Sequence, residues 1–407
     1  PMNRSTAPGI RHINPDSPWL LALLAALVAL GPLSVDMYLP ALPVMTEALD
    51  STVGALHLTM SAYLTGFALF HLVCGPVADR FGRKPPLIAG TALFVVACLG
   101  CSQADTVPEL LGFRFLQGIG ACVGPTLART ITRDLFGPTR AARALSLIAM
   151  LMALAPAVAP GLGGLMLLVL PWSSIFYFLA AYGAVMLILI HCFLAESLPR
   201  RQSLHPLSIA RNFGQLLRDP CYLSATLAGG LMYAGLMTYL ASSSFVYIEM
   251  LGVPVKYFGL IFLTTVIGYM CGSALSARLS LGHESEVIML VGTAVGLAGA
   301  TCMLAGHLLL PDSVVALALP TALFSTALGL VLPHAMTIAL KPFPYIAATA
   351  SALLGFIQMS LAAGASALGG QLLADTPRPM LLILVTITLL SLALALRVYW
   401  RSRALQP

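Results

Sequence analysis

The sequence predicts an all-α membrane protein with twelve transmembrane helices in two six-helix bundles, and three observations support this fold class. First, 59% of the 407 residues are hydrophobic and only 9% are charged, with a mean hydropathy of +0.93, whereas soluble domains carry about 25% charged residues. Second, the apolar residues fall in runs of roughly the 20 residues that a membrane-spanning helix needs. Third, one long polar interval, 195–220, divides these runs into two sets.

The predicted spans are the apolar runs that Gly, Pro and charged residues separate from one another. Because a single segment crosses lipid only when its backbone hydrogen bonds are satisfied internally, each run is expected to be helical. The runs are 18–44, 55–77, 86–104, 107–130, 142–168, 172–194, 221–249, 256–280, 287–307, 314–338, 346–373 and 379–398. The predicted organisation is an N-terminal segment 1–17, a first bundle 18–194, a linker 195–220, a second bundle 221–398 and a tail 399–407.

The Lys and Arg residues predict the orientation of the chain, because cytoplasmic loops of membrane proteins are enriched in these residues. If the N-terminus is cytoplasmic, all Lys and Arg residues fall in cytoplasmic segments except Lys256 and Arg378, which fall outside, and Arg114, which falls within the membrane. Both termini are therefore predicted to be cytoplasmic. The net charge of +6 does not indicate a nucleic-acid partner, since the chain has no basic stripe with interleaved aromatic residues.

Asp36 and Arg114 are the two charged residues that the prediction places deep inside spans. Each lies roughly 10–12 Å below the outer surface, at a rise of about 1.5 Å per residue, so the two are expected to pair. A buried ionisable group costs about 3 kcal/mol or more and by default marks a functional site. One interpretation is a static ion pair that joins the first and fourth helices. We favour the other, in which Asp36 takes up and releases a proton with Arg114 as its counter-charge, because burial stabilises a neutral carboxyl and a guanidinium stabilises a charged one.

Other polar residues in or near the spans have simpler interpretations. Glu47, Glu109 and Glu249 lie near predicted helix ends and are expected to be solvated. His71 and His334 lie inside spans, where packing is the favoured role and proton transfer is the alternative. No spacing of Cys or His resembles a zinc site, and no nucleotide-binding loop is present. The chain is therefore expected to need no metal or cofactor and not to be an enzyme.

The turn after the second span reads Gly75-Pro-Val-Ala-Asp79-Arg80-Phe-Gly82-Arg83-Lys84. It resembles the signature loop of the major facilitator superfamily, G-x-x-x-D-R-x-G-R-[KR]. The resemblance implies that Asp79 faces the start of the eleventh span near Pro344, and that Arg83 pairs with Asp134 to latch the cytoplasmic face. An ordinary positive-inside loop is the alternative interpretation. The implied gating residues are Gly75, Asp79, Arg80, Gly82, Arg83, Lys84 and Asp134.

Two further motifs lie in the fourth and fifth spans. The fourth reads Arg114-Phe-Leu-Gln117-Gly118-Ile-Gly120-Ala121 and is similar to the R-x-x-Q-G-x-G-A helix of the same superfamily. The fifth is similar to a proline- and glycine-rich motif of its exporting members, the antiporters, although a simple packing role is the alternative. The residues of this antiporter motif are Pro156, Pro160, Gly161, Gly163 and Gly164.

The first span carries Ser34-Val-Asp36-Met37-Tyr38-Leu39-Pro40-Ala41-Leu42-Pro43, which resembles the D-M-Y-L-P-A-x-P signature of the Bcr/CflA drug:proton antiporters. The resemblance implies the major facilitator fold, in which a cavity between two six-helix bundles opens alternately to the two sides of the membrane. Aromatic and Met side chains suit varied apolar ligands because they repack readily. The candidate substrate-binding residues are Met37, Tyr38, Tyr63, Met150, Tyr233, Met237, Tyr239, Phe262 and Gln358.

The predicted function is proton-coupled export of small, largely apolar, drug-like molecules across the bacterial inner membrane. The expected partners are the substrate, protons and the lipid bilayer, and the chain is expected to work as a monomer. Two alternatives remain open at the level of sequence. One is a dedicated transporter of a metabolite, such as a nucleoside or an amino acid, with the same fold. The other is a membrane sensor or interaction protein that transports nothing.

Overall fold

The structure is a computed structural model that describes residues 18–198, 206–343, 346–373 and 376–404. Side chains are described throughout these ranges except at residues 18, 133, 136–154, 206–210 and 348. The predicted N-terminal segment, Pro344 and the side chain of Met150 therefore lie outside the described part.

Helices make up the regular secondary structure of the described residues. The thirteen α-helices of the described residues are α1 Pro18–Asp36, α2 Leu42–Ala48, α3 Val53–Phe81, α4 Lys84–Ser102, α5 Val107–Met166, α6 Ser173–Phe193, α7 Pro206–Arg218, α8 Pro220–Ser244, α9 Val255–Leu279, α10 Ser285–Leu309, α11 Val314–Leu340, α12 Ala347–Leu372 and α13 Arg378–Ala404. Eleven helical stretches of the described part are long and apolar enough to cross a membrane. The all-α membrane fold predicted from the sequence is confirmed.

The first predicted span is not one continuous helix. Helix α1 ends at Asp36, a short 3-10 turn covers Leu39–Ala41, and α2 follows. The cause is Pro40, because a proline has no N–H to donate to the carbonyl four residues earlier, which here belongs to Asp36. The break places the carboxyl group of Asp36 at the point where the regular helix stops.

Helix α5 replaces the predicted fourth and fifth spans by one helical element of 60 residues. A straight helix of this length would measure about 90 Å, three times the thickness of the hydrocarbon layer. Gly124 packs against the carbonyl of Leu27, however, and Gly163 packs against the carbonyl of Met37, only ten residues further along the first span. The chain of α5 therefore reverses direction between these two glycines. It crosses the first group of helices twice, as two spans would.

Helix α7 lies within the segment 195–220, for which the sequence analysis expected only a polar linker. Apolar residues recur at Ile209, Phe213 and Leu216. This spacing is typical of one face of a helix and is the sequence signal that indicates α7. Leu216 is buried whereas Leu217 is half exposed, so the helix is amphipathic. The next helix, α8, begins where a carboxylate oxygen of Asp219 accepts a 2.6 Å hydrogen bond from the backbone N–H of Tyr222.

The helices pack in two groups that repeat the same contacts. In the first group, α5 packs against α1, α3 and α4; in the second, α11 packs against α8, α9 and α10. Gly66 and Gly118 bring α3 and α5 into backbone contact, and Gly268 and Gly272 do the same for α9 and α11. Small residues allow this close approach in membranes. The matching glycine contacts indicate that the two groups are structural repeats.

The two groups meet along two seams, one between α3 and α12, which runs from Ala347 to Leu372, and one between α5 and α9. We call the end of the helices at which Arg83 lies the loop end, and the opposite end the far end. At the far end, Gly161 lies against Gly259, and Gly164 lies against the carbonyl of Val255. These contacts close the far end between the groups.

Candidate functional site

Arg114 is fully buried inside the first group of helices. Its Nη1 donates a 2.6 Å hydrogen bond to Oε1 of Gln117 and a 3.2 Å hydrogen bond to the carbonyl of Ser34. The guanidinium carbon lies 4.3 Å from the ring centroid of Tyr38 and 4.6 Å from that of Tyr63. Two aromatic faces and two oxygen acceptors thus stabilise this charge without a carboxylate.

Asp36 does not form the predicted ion pair with Arg114, and this expectation was wrong. Both ion pairs of the described residues involve Arg83 instead. Asp36 is 4% exposed, and its carboxyl group takes part in neither ion pair of the described residues. Equal depth did not produce contact, because Arg114 turns to the carbonyl of Ser34 and to Gln117 rather than to the carboxyl group.

Arg114 and Asp36 are nevertheless linked through the backbone of the first span. Arg114 binds Ser34 and Tyr38, the residues that lie two positions before and two positions after Asp36. The hydroxyl of Tyr38 is in turn 2.5 Å from the hydroxyl of Thr59 on α3. Arg114 therefore positions the segment that carries Asp36 and leaves the carboxyl group itself free.

Asp36 faces the second group of helices across the space between the groups. The partly buried Tyr233 of α8 lies within electrostatic reach of Asp36, of Tyr63 on α3 and of Tyr269 on α9. Since these residues belong to both groups, Tyr233 marks the central cleft between them. Asp36 is the acidic residue of this cleft in the described part of the chain.

The candidate substrate-binding residues lie in three settings. Tyr38 and Tyr63 are buried against Arg114 in the first group, and Met37 is buried beside Gly163. Tyr239 is buried in the second group, where its hydroxyl is 3.2 Å from that of Tyr247. The remaining described candidates are Tyr233 and Gln358, which are partly exposed, and Met237 and Phe262, which are buried.

The loop that contains Arg83 forms the contacts expected of it on the first group. Nη1 of Arg83 lies 2.5 Å from a carboxylate oxygen of Asp79, and its Nε lies 3.1 Å from a carboxylate oxygen of Asp134. The predicted pair of Arg83 and Asp134 is therefore formed. The expected contact of Asp79 with the start of the eleventh span lies outside the described residues.

Glu196 is part of the same cluster and was not predicted to be. Its carboxylate accepts hydrogen bonds from the backbone N–H groups of Arg83, at 2.8 Å, and Lys84, at 3.1 Å. Gly82 has a φ of +100° and lies against this carboxylate, so a side chain there would be strained and would collide with Glu196. The carboxylate thus fixes the turn whose side chain pairs with Asp79 and Asp134.

The antiporter motif forms contacts between helices. Gly163 packs against the carbonyl of Met37, next to Asp36, while Gly161 and Gly164 contact α9 of the second group. Pro160 is buried and Pro156 is half-buried. The motif therefore joins the segment that carries Asp36 to the seam between the two groups.

Three histidines have distinct surroundings. Nε2 of His334 is 3.0 Å from the hydroxyl of Ser276, as suits a packing residue with a hydrogen bond. Nδ1 of His71 is 3.3 Å from the hydroxyl of Thr126. His57, which the sequence analysis did not consider, is fully buried at the far end and places Nδ1 3.3 Å from a carbonyl of α12. His57 thereby joins the two groups.

Arg129 is the residue whose placement the sequence analysis missed. Its position near the end of a span led to its assignment to a cytoplasmic segment, but it lies within Val107–Thr132, a stretch of α5 that is apolar enough to cross a membrane. The side chain is exposed and lies within electrostatic reach of His71 on α3 and of Tyr269 on α9. Because the charge of Arg129 lies between helices of the two groups, it lies in the cleft.

Comparisons with known proteins agree with this arrangement. The family model of the Major Facilitator Superfamily matches residues 24–367. The uncharacterized MFS-type transporter YdgK of Bacillus subtilis is 32% identical, and the match covers 86% of this chain and 88% of YdgK. The multidrug resistance protein MdtL of Shigella dysenteriae is 34% identical over 82% of this chain and 84% of MdtL. A bicyclomycin resistance protein homolog of Haemophilus influenzae is 29% identical over 88% and 90%.

Solved structures show the same fold at low sequence identity. The D-xylose-proton symporter has a TM-score of 0.71 and 14% identity over 93% of this chain and 97% of the symporter. A partially occluded, inward-open structure of the xylose transporter XylE from E. coli has a TM-score of 0.70 and 12% identity, covering 92% and 96%. The resemblance that the sequence motifs indicated is confirmed, and the chain belongs to the major facilitator superfamily of membrane transporters.

Proposed function

We propose that the protein is a proton-coupled antiporter that exports small, largely apolar, drug-like molecules. The observation that carries the proposal is the buried carboxyl group of Asp36, which lies in the cleft between the two repeats and takes part in neither ion pair of the described residues. Relatives named for multidrug and bicyclomycin resistance support export of drugs as the function.

The surroundings of Asp36 favour proton binding. A carboxylate buried without a partner is unstable relative to the neutral acid, so the group holds a proton while the cleft is closed around it. Water that enters the cleft when it opens stabilises the charged form and releases the proton. A ligand that binds the open, hydrated cleft therefore favours the deprotonated state, whereas the closed and empty cleft favours the protonated state, which is the requirement for exchange.

Arg114 supports this chemistry by position. Its charge is already stabilised by Tyr38, Tyr63 and Gln117, so it does not hold Asp36 in the ionised form. We assign Arg114 as a positioning residue of the proton site, which revises the role of counter-charge expected from the sequence.

The two repeats supply the alternating motion. We propose that residues 18–194 and 221–398 move as two bodies about the cleft, with the far end closed by its glycine contacts in one state and the loop end closed in the other. The closed far end and the exposed Arg129 support a state that is open at the loop end. One chain carries both bodies, so a monomer suffices. We place the protein in the bacterial inner membrane, with the loop end and both termini in the cytoplasm.

The experiment is transport by purified protein in liposomes with an imposed pH gradient. In the D36N variant, gradient-driven accumulation of a substrate should fall at least tenfold, because the amide cannot exchange a proton, while ligand binding should persist. The matched control is E47Q, which changes an exposed acid near the far end and should leave transport unchanged. Full gradient-driven transport in D36N would overturn the proposal.

A further inference from the structure

Arg129 lies deep enough in α5 to be part of the transport path. It follows Arg114 by fifteen residues, or about 22 Å along a helix, and precedes Asp134 by five residues, or about 7 Å. Along α5, Arg129 therefore lies between Arg114, which is next to the proton site, and Asp134, which belongs to the Arg83 cluster at the loop end. A molecule that enters the cleft from the loop end passes Arg129 before it reaches Asp36.

The contacts of α5 show which way this part of the helix faces. Cys122 and Thr126, one turn apart, both contact Nδ1 of His71 on α3, at 3.6 and 3.3 Å. Arg129 follows Thr126 by three residues and continues the same face. From there its charge reaches His71 in one repeat and Tyr269 in the other, and the side chains of Arg129 and Tyr269 are both exposed. Since these two side chains are exposed between the two repeats, they line the cleft.

Arg129 has no acidic partner among the described residues. The three acids described near the loop end of this repeat are engaged by other groups: Asp79 and Asp134 by the side chain of Arg83, and Glu196 by the backbone N–H groups of Arg83 and Lys84. The stretch 136–154, whose side chains the structure does not describe, contains no Asp or Glu in the sequence. The loop-end mouth of the cleft thus carries a guanidinium that forms no ion pair among the described residues and lies within electrostatic reach of Tyr269.

This chemistry selects a class of ligand. A guanidinium presents a planar fork of donors that matches a carboxylate, sulfonate or phosphate by paired hydrogen bonds. The same charge repels an organic cation in a cleft that holds little water. The ring of Tyr269 offers an apolar face for the body of the same ligand.

We propose that Arg129 and Tyr269 form the entry subsite of the cleft, and that this subsite binds the anionic head group of an amphiphilic substrate with an aromatic or apolar body. The inference rests on the proposed export function and sharpens it, because it excludes permanent cations as the preferred substrates. It also sets the charge balance of transport. Export of a monoanion against one entering proton moves two charges across the membrane, so an inside-negative potential should accelerate it, whereas exchange of a monocation for one proton moves none.

The test uses three probes that share one fluorophore: dansylglycine, an anion; dansylamide, which is neutral; and dansylcholine, a cation. Binding to the purified protein in nanodiscs at fixed pH is measured by fluorescence, without any gradient. The wild-type protein should bind dansylglycine about tenfold more tightly than dansylcholine, as one charge-assisted hydrogen-bond pair allows. R129Q should lose this preference, with dansylamide binding changed less than twofold, and R129K should retain part of it.

The matched control is R278Q, which removes an exposed charge from the loop end of α9, nine residues beyond Tyr269. It should leave the preference intact, because a general positive potential is not the proposed cause. Equal affinities for the anion and the cation in the wild-type protein, no binding of any probe, or an unchanged preference in R129Q would each overturn the inference. The D36N transport result would stand independently, because it needs a pH gradient and this binding assay does not.

Discussion

Arg114 and Arg129 lie on the same helix, yet their surroundings are opposite. Arg114 is fully buried between two tyrosine rings and bonded to Gln117 and to a carbonyl, whereas Arg129 is exposed in the cleft and forms no ion pair among the described residues. The comparison teaches that two charges on one membrane helix can have different roles. Aromatic rings and oxygen acceptors hold the charge of Arg114, although its Nε has no hydrogen-bond partner, and this charge organises the structure around it. The charge of Arg129 is exposed and is accessible to a ligand.

The largest expected effect comes from replacing the buried arginine. R114Q leaves the space between Tyr38 and Tyr63 without its charge, so we expect a loss of about 3 kcal/mol in the free energy of unfolding and the loss of transport. R114K should recover only part of the stability, because an ammonium cannot stack between two rings or donate as a planar fork. Thermal unfolding in detergent and transport in liposomes measure both effects.

The counterpart of that experiment is R129Q, whose free energy of unfolding should lie within about 0.5 kcal/mol of that of the wild-type protein. An exposed side chain that forms no ion pair among the described residues contributes little to stability. A large loss of stability in R129Q, or wild-type behaviour of R114K, would remove the distinction between the two arginines.

The next prediction concerns the contact between Gly163 and the segment that carries Asp36. A methyl group at Gly163 would collide with the carbonyl of Met37, so G163A should displace the segment of Asp36 and reduce transport about tenfold, equivalent to about 1.4 kcal/mol. G112A is the matched control on the same helix, because a methyl group at Gly112 meets no atom within 4 Å. Equal transport rates in G163A and G112A would show that this contact does not matter to the proton site.

A smaller effect than that of G163A is expected at the Arg83 cluster. D134N weakens one of the two contacts of Arg83, while Asp79 keeps the other, and Asp134 is 22% exposed. We expect a loss of about 1 kcal/mol or less in the free energy of unfolding and a severalfold change in transport rate. An effect on stability as large as that of R114Q would mean that this cluster, rather than Arg114, organises the first repeat.

The sequence predicted an all-α membrane fold because lipid imposes a length and a composition on every spanning segment. The pair of Arg83 and Asp134 was implied by the resemblance, since the motif loop contains Arg83 and Asp134 is an acid near the end of the fourth predicted span. The sequence did not predict α7 or the break after Asp36. Local signals for both were present, namely the apolar spacing around Phe213 and the prolines after Asp36.

The expected pair of Asp36 and Arg114 failed for a different reason. A rise per residue gives the depth of a side chain, but neither the direction in which it points nor the acceptors it finds first. Arg129 was missed because counting Lys and Arg near helix ends treats a charge one or two turns inside a span as part of a loop. The first error concerns rotation about a helix axis and the second concerns position along it, and packing determines both.

The most direct measurement is proton release from the purified protein in weakly buffered solution when a transported ligand is added. If Asp36 is the proton site, ligand binding should release protons from the wild-type protein and from E47Q, and D36N should release none while it still binds the ligand. Unchanged proton release from D36N would show that another group exchanges the proton, and the role assigned to Asp36 would be wrong.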